Sequence, residues 1–314
     1  MFDLVCIGNV VADVIVRVFD AVPPKGSLVY NESITLQTGG CAMSSACAAS
    51  ALGAKTAIIA KIGRDSFGAY LTSMIDRYRV DRRGLVVSDT LPTSASVALV
   101  SGDAERTFLH SPGANAGLTL DDMDWELIGN SKIAFFTGMN LMKGFDGEPC
   151  AKAMERCRSM GKFTVLDVCH DPDGLWMQKV GVCLPHADLF MPNENEAANL
   201  TGKTTPEAMA DELLFRGAKS VVIKLGPRGC YVRESEVLPG FRVPTYKINP
   251  INTTGAGDCF CAGFLFGIKE GLPYSECAKI ACAAGAKCVA SEGTAEGVPA
   301  YEHLRAFIDN TPTV

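Results

Sequence analysis

The run Asn252-Thr253-Thr254-Gly255-Ala256-Gly257-Asp258, followed by Cys-Phe-Cys-Ala-Gly-Phe, puts a carboxylate at the end of a string of small residues. Gly-Ala-Gly exposes consecutive backbone N–H groups, and a helix starts immediately behind them. Phe260, Phe264 and Ile268 recur every four residues, the spacing of one helical face. Free N–H groups at a helix start carry roughly half a positive charge, so the turn is a ready cradle for an anion. Asp258 lies inside that cradle, an odd place for a carboxylate unless it has a chemical role. A base held beside an anion hole is what phosphoryl transfer from a nucleotide to an alcohol requires. A plain capped turn would need neither both glycines nor the residues that follow.

Other constellations could share that chemistry. Thr38-Gly39-Gly40-Cys41 leads into a helix of very small residues, Ala42-Met43-Ser44-Ser45-Ala46-Cys47-Ala48, so a ligand and a neighbouring strand can both approach the backbone closely. A tight helix cap would use the same glycines. Gly8-Asn9-Val10-Val11-Ala12-Asp13 ends the first apolar strand, where ligands collect in open α/β sheets. A lone carboxylate there needs partners, whether an arginine, a turn or a hydroxyl-bearing ligand. Pro192-Asn193-Glu194-Asn195-Glu196 follows a strand and begins a helix; alone it reads as an N-cap with acidic residues favouring the dipole. Lys224-Leu225-Gly226-Pro227-Arg228-Gly229 joins two strands and alone reads as a hairpin. Gly202-Lys203-Thr204 imitates the end of a Walker A loop, but Ala197 stands at the required first glycine and a helix precedes it, so Gly202 reads as a helix C-cap. No G-x-G-x-x-G follows the first strand, which excludes the dinucleotide-binding fingerprint.

The Gly255–Asp258 run and its continuation through Ala262-Gly263-Phe264-Leu265 resemble the C-terminal signature of the ribokinase-like (PfkB) carbohydrate kinases. The Gly39-Gly40 segment resembles that family's N-terminal signature, and the two occur in the family's order across nearly the whole chain. The resemblance implies that Asp258 takes the proton of a sugar hydroxyl while Gly255, Ala256 and Gly257 bind the transferring phosphoryl group. It implies sugar contacts from Asp13, Gly39, Gly40 and Ser44. Asn193 and Glu196 match the family's N-x-x-E motif, which organises Mg2+ and phosphate largely through water; Mg2+ suits few protein ligands. Lys224, Gly226 and Gly229 match the nucleotide-side loop, and Ala281–Thr294, with Cys282, matches the helix and loop that enclose the adenine. Asn252, Thr254 and the 291–295 loop fall where many relatives bind an activating monovalent cation such as K+. Those relatives usually carry Asp at the first position, and Asn252 removes that charge.

Some positions depart from the pattern. Ser44 stands where the family usually has Asn, and Val11 where ribokinases carry Asn. A serine reaches less far than an amide toward a sugar diol, which argues against ribose. Relatives acting on keto-acid sugars tend to have Arg about where Asp171 lies, and an acidic residue would repel a substrate carboxylate. His170 receives no role.

The remaining composition sets bounds. A net charge of −6 leaves no basic footprint for nucleic acid. No apolar stretch approaches the roughly 18 residues of a membrane span, and no basic leader precedes the first strand. Thirteen cysteines are odd in number and irregularly spaced, and there are only four histidines, so neither a disulfide framework nor a zinc site is expected. Reduced thiols in the cytoplasm are the better reading.

These residues need a scaffold. Strand-length apolar runs (4–10, 57–62, 133–138, 163–168, 189–192, 220–225, 230–233) alternate with helical stretches (42–52, 66–79, 121–129, 148–160, 205–216, 257–270, 274–291, 301–309). That alternation predicts an α/β fold with three layers, α/β/α, around a mostly parallel sheet. With no linker in its 314 residues, the chain reads as one ribokinase-like domain. Residues about 14–37 and 93–110 break the alternation and predict a small antiparallel sheet, with a turn at Ser101-Gly102-Asp103. The resemblance makes this a lid over the sugar that also supplies a homodimer contact.

The expected activity is therefore ATP-dependent phosphorylation, with Mg2+, of a hydroxyl on a neutral sugar or polyol. A nucleoside kinase would share every ATP-side residue. A pyridoxal-type vitamin kinase usually lacks the Gly-Gly signature and the lid. A catalytically dead sugar sensor would have no use for an intact Gly-Ala-Gly-Asp.

Overall fold

The computed structural model describes residues 1–17, 24–101 and 106–314. In chain order the strands are β1 (Phe2–Gly8), β2 (Val11–Arg17), β3 (Ser33–Gly39), β4 (Thr56–Gly63), β5 (Asp81–Ser88), β6 (Ala95–Val100) and β7 (Arg106–Ser111). They continue with β8 (Ser131–Met139), β9 (Phe163–Val168), β10 (Leu189–Phe190), β11 (Val221–Lys224), β12 (Cys230–Arg233) and β13 (Phe241–Val243). The helices are α1 (Cys41–Ala51), α2 (Ser66–Arg77), α3 (Trp125–Gly129), α4 (Glu148–Ser159) and α5 (Trp176–Val180). After them come α6 (Glu194–Thr201), α7 (Pro206–Phe215), α8 (Ala256–Lys269), α9 (Tyr274–Val289) and α10 (Tyr301–Asn310).

Consecutive apolar residues fill the central strands because helices cover both faces of the sheet. Leu4 and Cys6 of β1 pack into one cluster with α1, α8 and α9, while Val5 and Ile7 pack into the other with α3, α4 and α7. Three layers result, as the alternation predicts. Among the described residues the main sheet has nine strands in the order β13-β12-β11-β10-β9-β8-β1-β4-β5. It is parallel from β5 across to β11 and antiparallel at β11–β12–β13. The chain leaves β1 for β4 and β5 on one side and returns to β8 on the other. That reversal opens a crevice beyond the strand ends, the usual ligand position in such sheets.

The small sheet forms with the order β3-β2-β6-β7, but it is mixed where antiparallel pairing was expected: β2 and β6 run parallel. The two segments approach from distant parts of the chain, so no hairpin dictates their relative direction. β1 also ends earlier than expected, at Gly8, and Asp13 is the third residue of β2 in the small sheet. Part of the expected lid, residues 18–23, and the turn at Gly102-Asp103 lie outside the described residues.

The stretch 121–129 is not one helix. A 3-10 turn at Leu120–Asp122 is capped by Thr119, and α3 starts afresh with the Asp124 carboxylate accepting the Leu127 amide at 2.9 Å. Two capping residues so close together divide the helix. β5 was not expected from sequence; it is an edge strand with exposed Arg82 and Arg83, a composition that masks strand character. Gly202 adopts the left-handed conformation (φ 69°) that closes α6, as its C-cap reading requires. Among the described residues no helix is long and apolar enough to cross a membrane.

Candidate active site

Two helix starts, distant in sequence, meet beyond the ends of β1 and β9. The small residues of α1 let it lie close against α8, and Ser45 Oγ donates to the carbonyl oxygen of Asp258 at 3.2 Å. Asn9, just past β1, fixes the first of these starts: its Oδ1 accepts the Cys41 amide at 2.9 Å and its carbonyl accepts the Ala42 amide at 3.2 Å. Gly40 at φ 87° brings the chain so close that a Cβ there would meet Asn9 O at 2.6 Å. Gly39 is equally constrained, since a Cβ would lie 2.0 Å from Asp13 Oδ2. The Asp13 carboxylate therefore passes directly over the glycine pair.

Gly255 is the N-cap of α8, held left-handed at φ 79° against Thr294, so the amides of Ala256 and Gly257 open the helix. Asp258 follows in the first turn and is partly buried. Burial is the main cause that lifts its carboxyl to about 6, and the charge of Asp167 adds to it; Lys224, Cys41 and Ser44 pull the other way. Ser44 does not reach outward as expected. It is 1 % exposed on the inner side of α1 and stands beside Asp258.

Lys224, at the end of β11, extends its ammonium beneath the turn. Nζ is 2.8 Å from Asp167 Oδ1, and a Cβ on Gly257 would lie 3.6 Å from it. Asp167, near the end of β9, is almost fully buried, and burial raises its carboxyl in spite of the Lys224 charge. Sequence reading missed it; its signal was an acidic residue near the end of the otherwise apolar strand Phe163–Val168. Glu196 is 8 % exposed and is pushed up to about 7, first by burial and then by Asp167 and Asp258, against the pull of Lys224. Asn193 and Glu196 form a reciprocal cap, with Asn193 N donating to Glu196 Oε2 (2.7 Å) and Glu196 N to Asn193 Oδ1 (2.9 Å). Three carboxylates thus surround one ammonium.

Asp13 is 9 % exposed, and burial raises its carboxyl to about 6, moderated by the Ser96 hydroxyl. Asp13, Arg17, Gln37 and Phe108 of the small sheet, with Asn252, Thr254 and Thr294 opposite, line one hollow. Thr294 Oγ1 donates to Thr38 O at 2.9 Å and ties its loop to β3. Asn252 uses both ends of its amide: Nδ2 donates to Glu292 O, and Oδ1 accepts the Thr254 amide at 2.8 Å.

Other residues singled out in the sequence serve the fold or stand apart from this cluster. Cys282 is 3 % exposed in the core, its Sγ 4.0 Å from Cys230 Sγ, because α9 turns that face onto the sheet. Gly229 is required by its neighbour strand, since a Cβ would meet Val243 O at 1.9 Å; Gly226 faces open space. Asp171 is neutralised by Lys179 at 2.7 Å and accepts the Trp176 amide, so it braces the loop before α5 and carries no argument about substrate charge.

The family model described as pfkB family carbohydrate kinase matches residues 1–301. The 2-dehydro-3-deoxygluconokinase of Bacillus subtilis is 29% identical over 286 residues, covering 86% of each chain. Fructokinase-2 of Oryza sativa subsp. japonica is 26% identical over 292 residues, covering 87% of this chain and 85% of its own. The solved ribokinase of Arabidopsis thaliana, complexed with ribose and ATP, superposes with a TM-score of 0.85 at 23% identity over 98% of both chains, a likeness of fold. The chain belongs to the pfkB family of carbohydrate kinases and has the ribokinase fold.

Proposed function

We propose that this carbohydrate kinase phosphorylates a hydroxyl of a neutral sugar or polyol, with Asp258 as the general base. The observation that carries the reading is a carboxylate held near 6 in the first turn of α8, beside the helix-start amides and the Lys224 ammonium. A base of that strength is ionised at neutral pH yet strong enough to accept an alcohol proton as the bond forms. The amides of Gly255, Ala256 and Gly257 and the ammonium of Lys224 then neutralise charge on the transferring group, each such donor supplying about 3 kcal/mol in comparable anion holes.

The residues present suit ATP and Mg2+. Mg2+ suits few protein ligands, so it would be held here largely through water. Asn193 and Glu196 would hold it through water, and the excess carboxylate charge around Lys224 favours a divalent cation. When bound, ATP would supply the phosphoryl group and Mg2+ would offset negative charge that develops on it.

Asp13, carried on the small sheet over Gly39-Gly40, would bind the acceptor's hydroxyls and repel an acceptor carboxylate. The small sheet would act as the lid and bear the homodimer contact, its outward Ile34 and Leu109 being exposed. All 314 residues would form one domain. The test is ADP release with ribose, fructose, myo-inositol, adenosine and 2-keto-3-deoxygluconate, run beside Asp258→Asn. A neutral non-ribose acceptor should give the highest kcat/KM, and Asp258→Asn should lose at least about 10²-fold in kcat while still binding ATP. If the keto-acid or ribose wins, the substrate reading fails; if the variant stays within a few-fold of wild type, the base is wrong.

A further inference from the structure

We propose that Cys41 and Cys169 are an oxidisable pair whose disulfide, formed by a peroxide, arrests phosphoryl transfer by drawing the start of α1, and with it Gly39-Gly40, toward β9. Their sulfurs are 3.2 Å apart although 128 residues separate them. Access singles them out. Of the thirteen cysteines, eleven are buried, and these two alone are partly exposed. Another close pair, Cys230 and Cys282, is sealed in the core with its sulfurs 4.0 Å apart.

Both backbones are anchored on the site. Cys41 opens α1 directly after Gly39-Gly40, its amide held by Asn9. Cys169 follows β9, two residues beyond Asp167; its amide donates to Met139 O at 2.9 Å and its carbonyl accepts Asn140 Nδ2 at 3.0 Å. A disulfide needs the sulfurs at about 2.05 Å, so closing the bond asks for roughly an ångström of side-chain movement. One thiolate attacks the peroxide to give a sulfenic acid and water; the other thiol then displaces a second water from that sulfur. In total two thiols and one peroxide give one disulfide and two waters, with the sulfurs oxidised and the peroxide reduced. The Cys169 contact, burial and the carboxylates of Asp258 and Asp167 hold the Cys41 thiol well above its ordinary range, so the step is slow and needs sustained oxidant.

The effect on rate rests on the proposed reading that Gly39-Gly40 and Asp13 hold the acceptor. Cys41 follows the glycine pair directly, so its sulfur cannot move toward Cys169 without strain on the turn.

The experiment treats the full chain with hydrogen peroxide, blocks remaining thiols with N-ethylmaleimide, and maps the digest by mass. A Cys41–Cys169 linked peptide is expected, with its fraction tracking a loss of at least about tenfold in ADP release with the fastest acceptor of the panel. Dithiothreitol should restore both. Cys169→Ser, compared with its own untreated rate, should resist the same dose. Absence of the linked peptide, a linked protein of unchanged rate, or equal inactivation of Cys169→Ser would each overturn the proposal. The linked peptide is read by mass alone and the acceptor site by Asp13→Ala, so failure here and failure of the acceptor reading are told apart.

Discussion

The ammonium of Lys224 and the carboxylate of Asp167 pair at 2.8 Å beneath the start of α8, from strands β11 and β9 that are not neighbours in the sheet. The pair is almost dry, with side chains 11% and 3% exposed, and its free side faces Gly257. On the proposed reading, a cation so placed would meet the nucleotide's phosphates without a flexible search, because its partner has already fixed the rotamer.

Lys224→Met should therefore raise the KM for ATP by about ten- to a hundredfold, the loss of one charge-assisted contact worth about 1.5–3 kcal/mol. The acceptor KM should change far less. Equal changes in both would assign Lys224 to the fold instead of the nucleotide. Asp167→Asn should be costly in stability, about 3 kcal/mol, because it removes the nearest charge partner of a buried ammonium. Denaturant titration reads that directly.

Asp258 links rate to pH. With its carboxyl near 6, kcat should fall about tenfold per pH unit below that value, as the base becomes protonated. The stability effect has the opposite sense. A folded-state value above the ordinary 3.8 means that the folded protein holds the proton more tightly, so this group's contribution is full below 3.8 and lost as pH rises through about 6. The shift corresponds to about 3 kcal/mol at neutral pH. Asp258→Asn should then melt a few degrees higher than wild type at pH 8, with the gap closing by pH 4; a lower Tm at pH 8 would contradict the buried-charge account.

Asp13→Ala should raise the acceptor KM by about tenfold or more and leave the ATP KM within about twofold, since its carboxylate overlies Gly39 on the small sheet. Parallel effects on both substrates would mean that Asp13 mainly organises β2 against β3 and β6.

Asn252 bonds both Glu292 O and the Thr254 amide, joining the two segments that flank the hollow. An amide already cross-linking this loop leaves little need for a cation to do so. Replacing K+ by tetramethylammonium should change kcat by less than about twofold, whereas Asn252→Asp should make the rate K+-dependent by restoring the charge. A strong K+ requirement in the unaltered protein would refute this.

Much of the architecture was legible in the residues. Consecutive apolar strands alternating with helices could only be covered on both faces, and Gly255-Ala256-Gly257-Asp258 announced a helix start carrying a carboxylate, because local sequence controls backbone conformation and helix caps. The glycine pair at 39–40 was visible for the same reason. Tertiary structure alone decided what stood next to what. It set Lys224 on Asp167, Cys41 on Cys169, and Asp13 in the small sheet rather than at the end of β1. It also turned Cys282 and Ser44 inward and paired Asp171 with Lys179. Side-chain direction, burial and partner depend on how distant elements pack, and no short-range pattern carries that information.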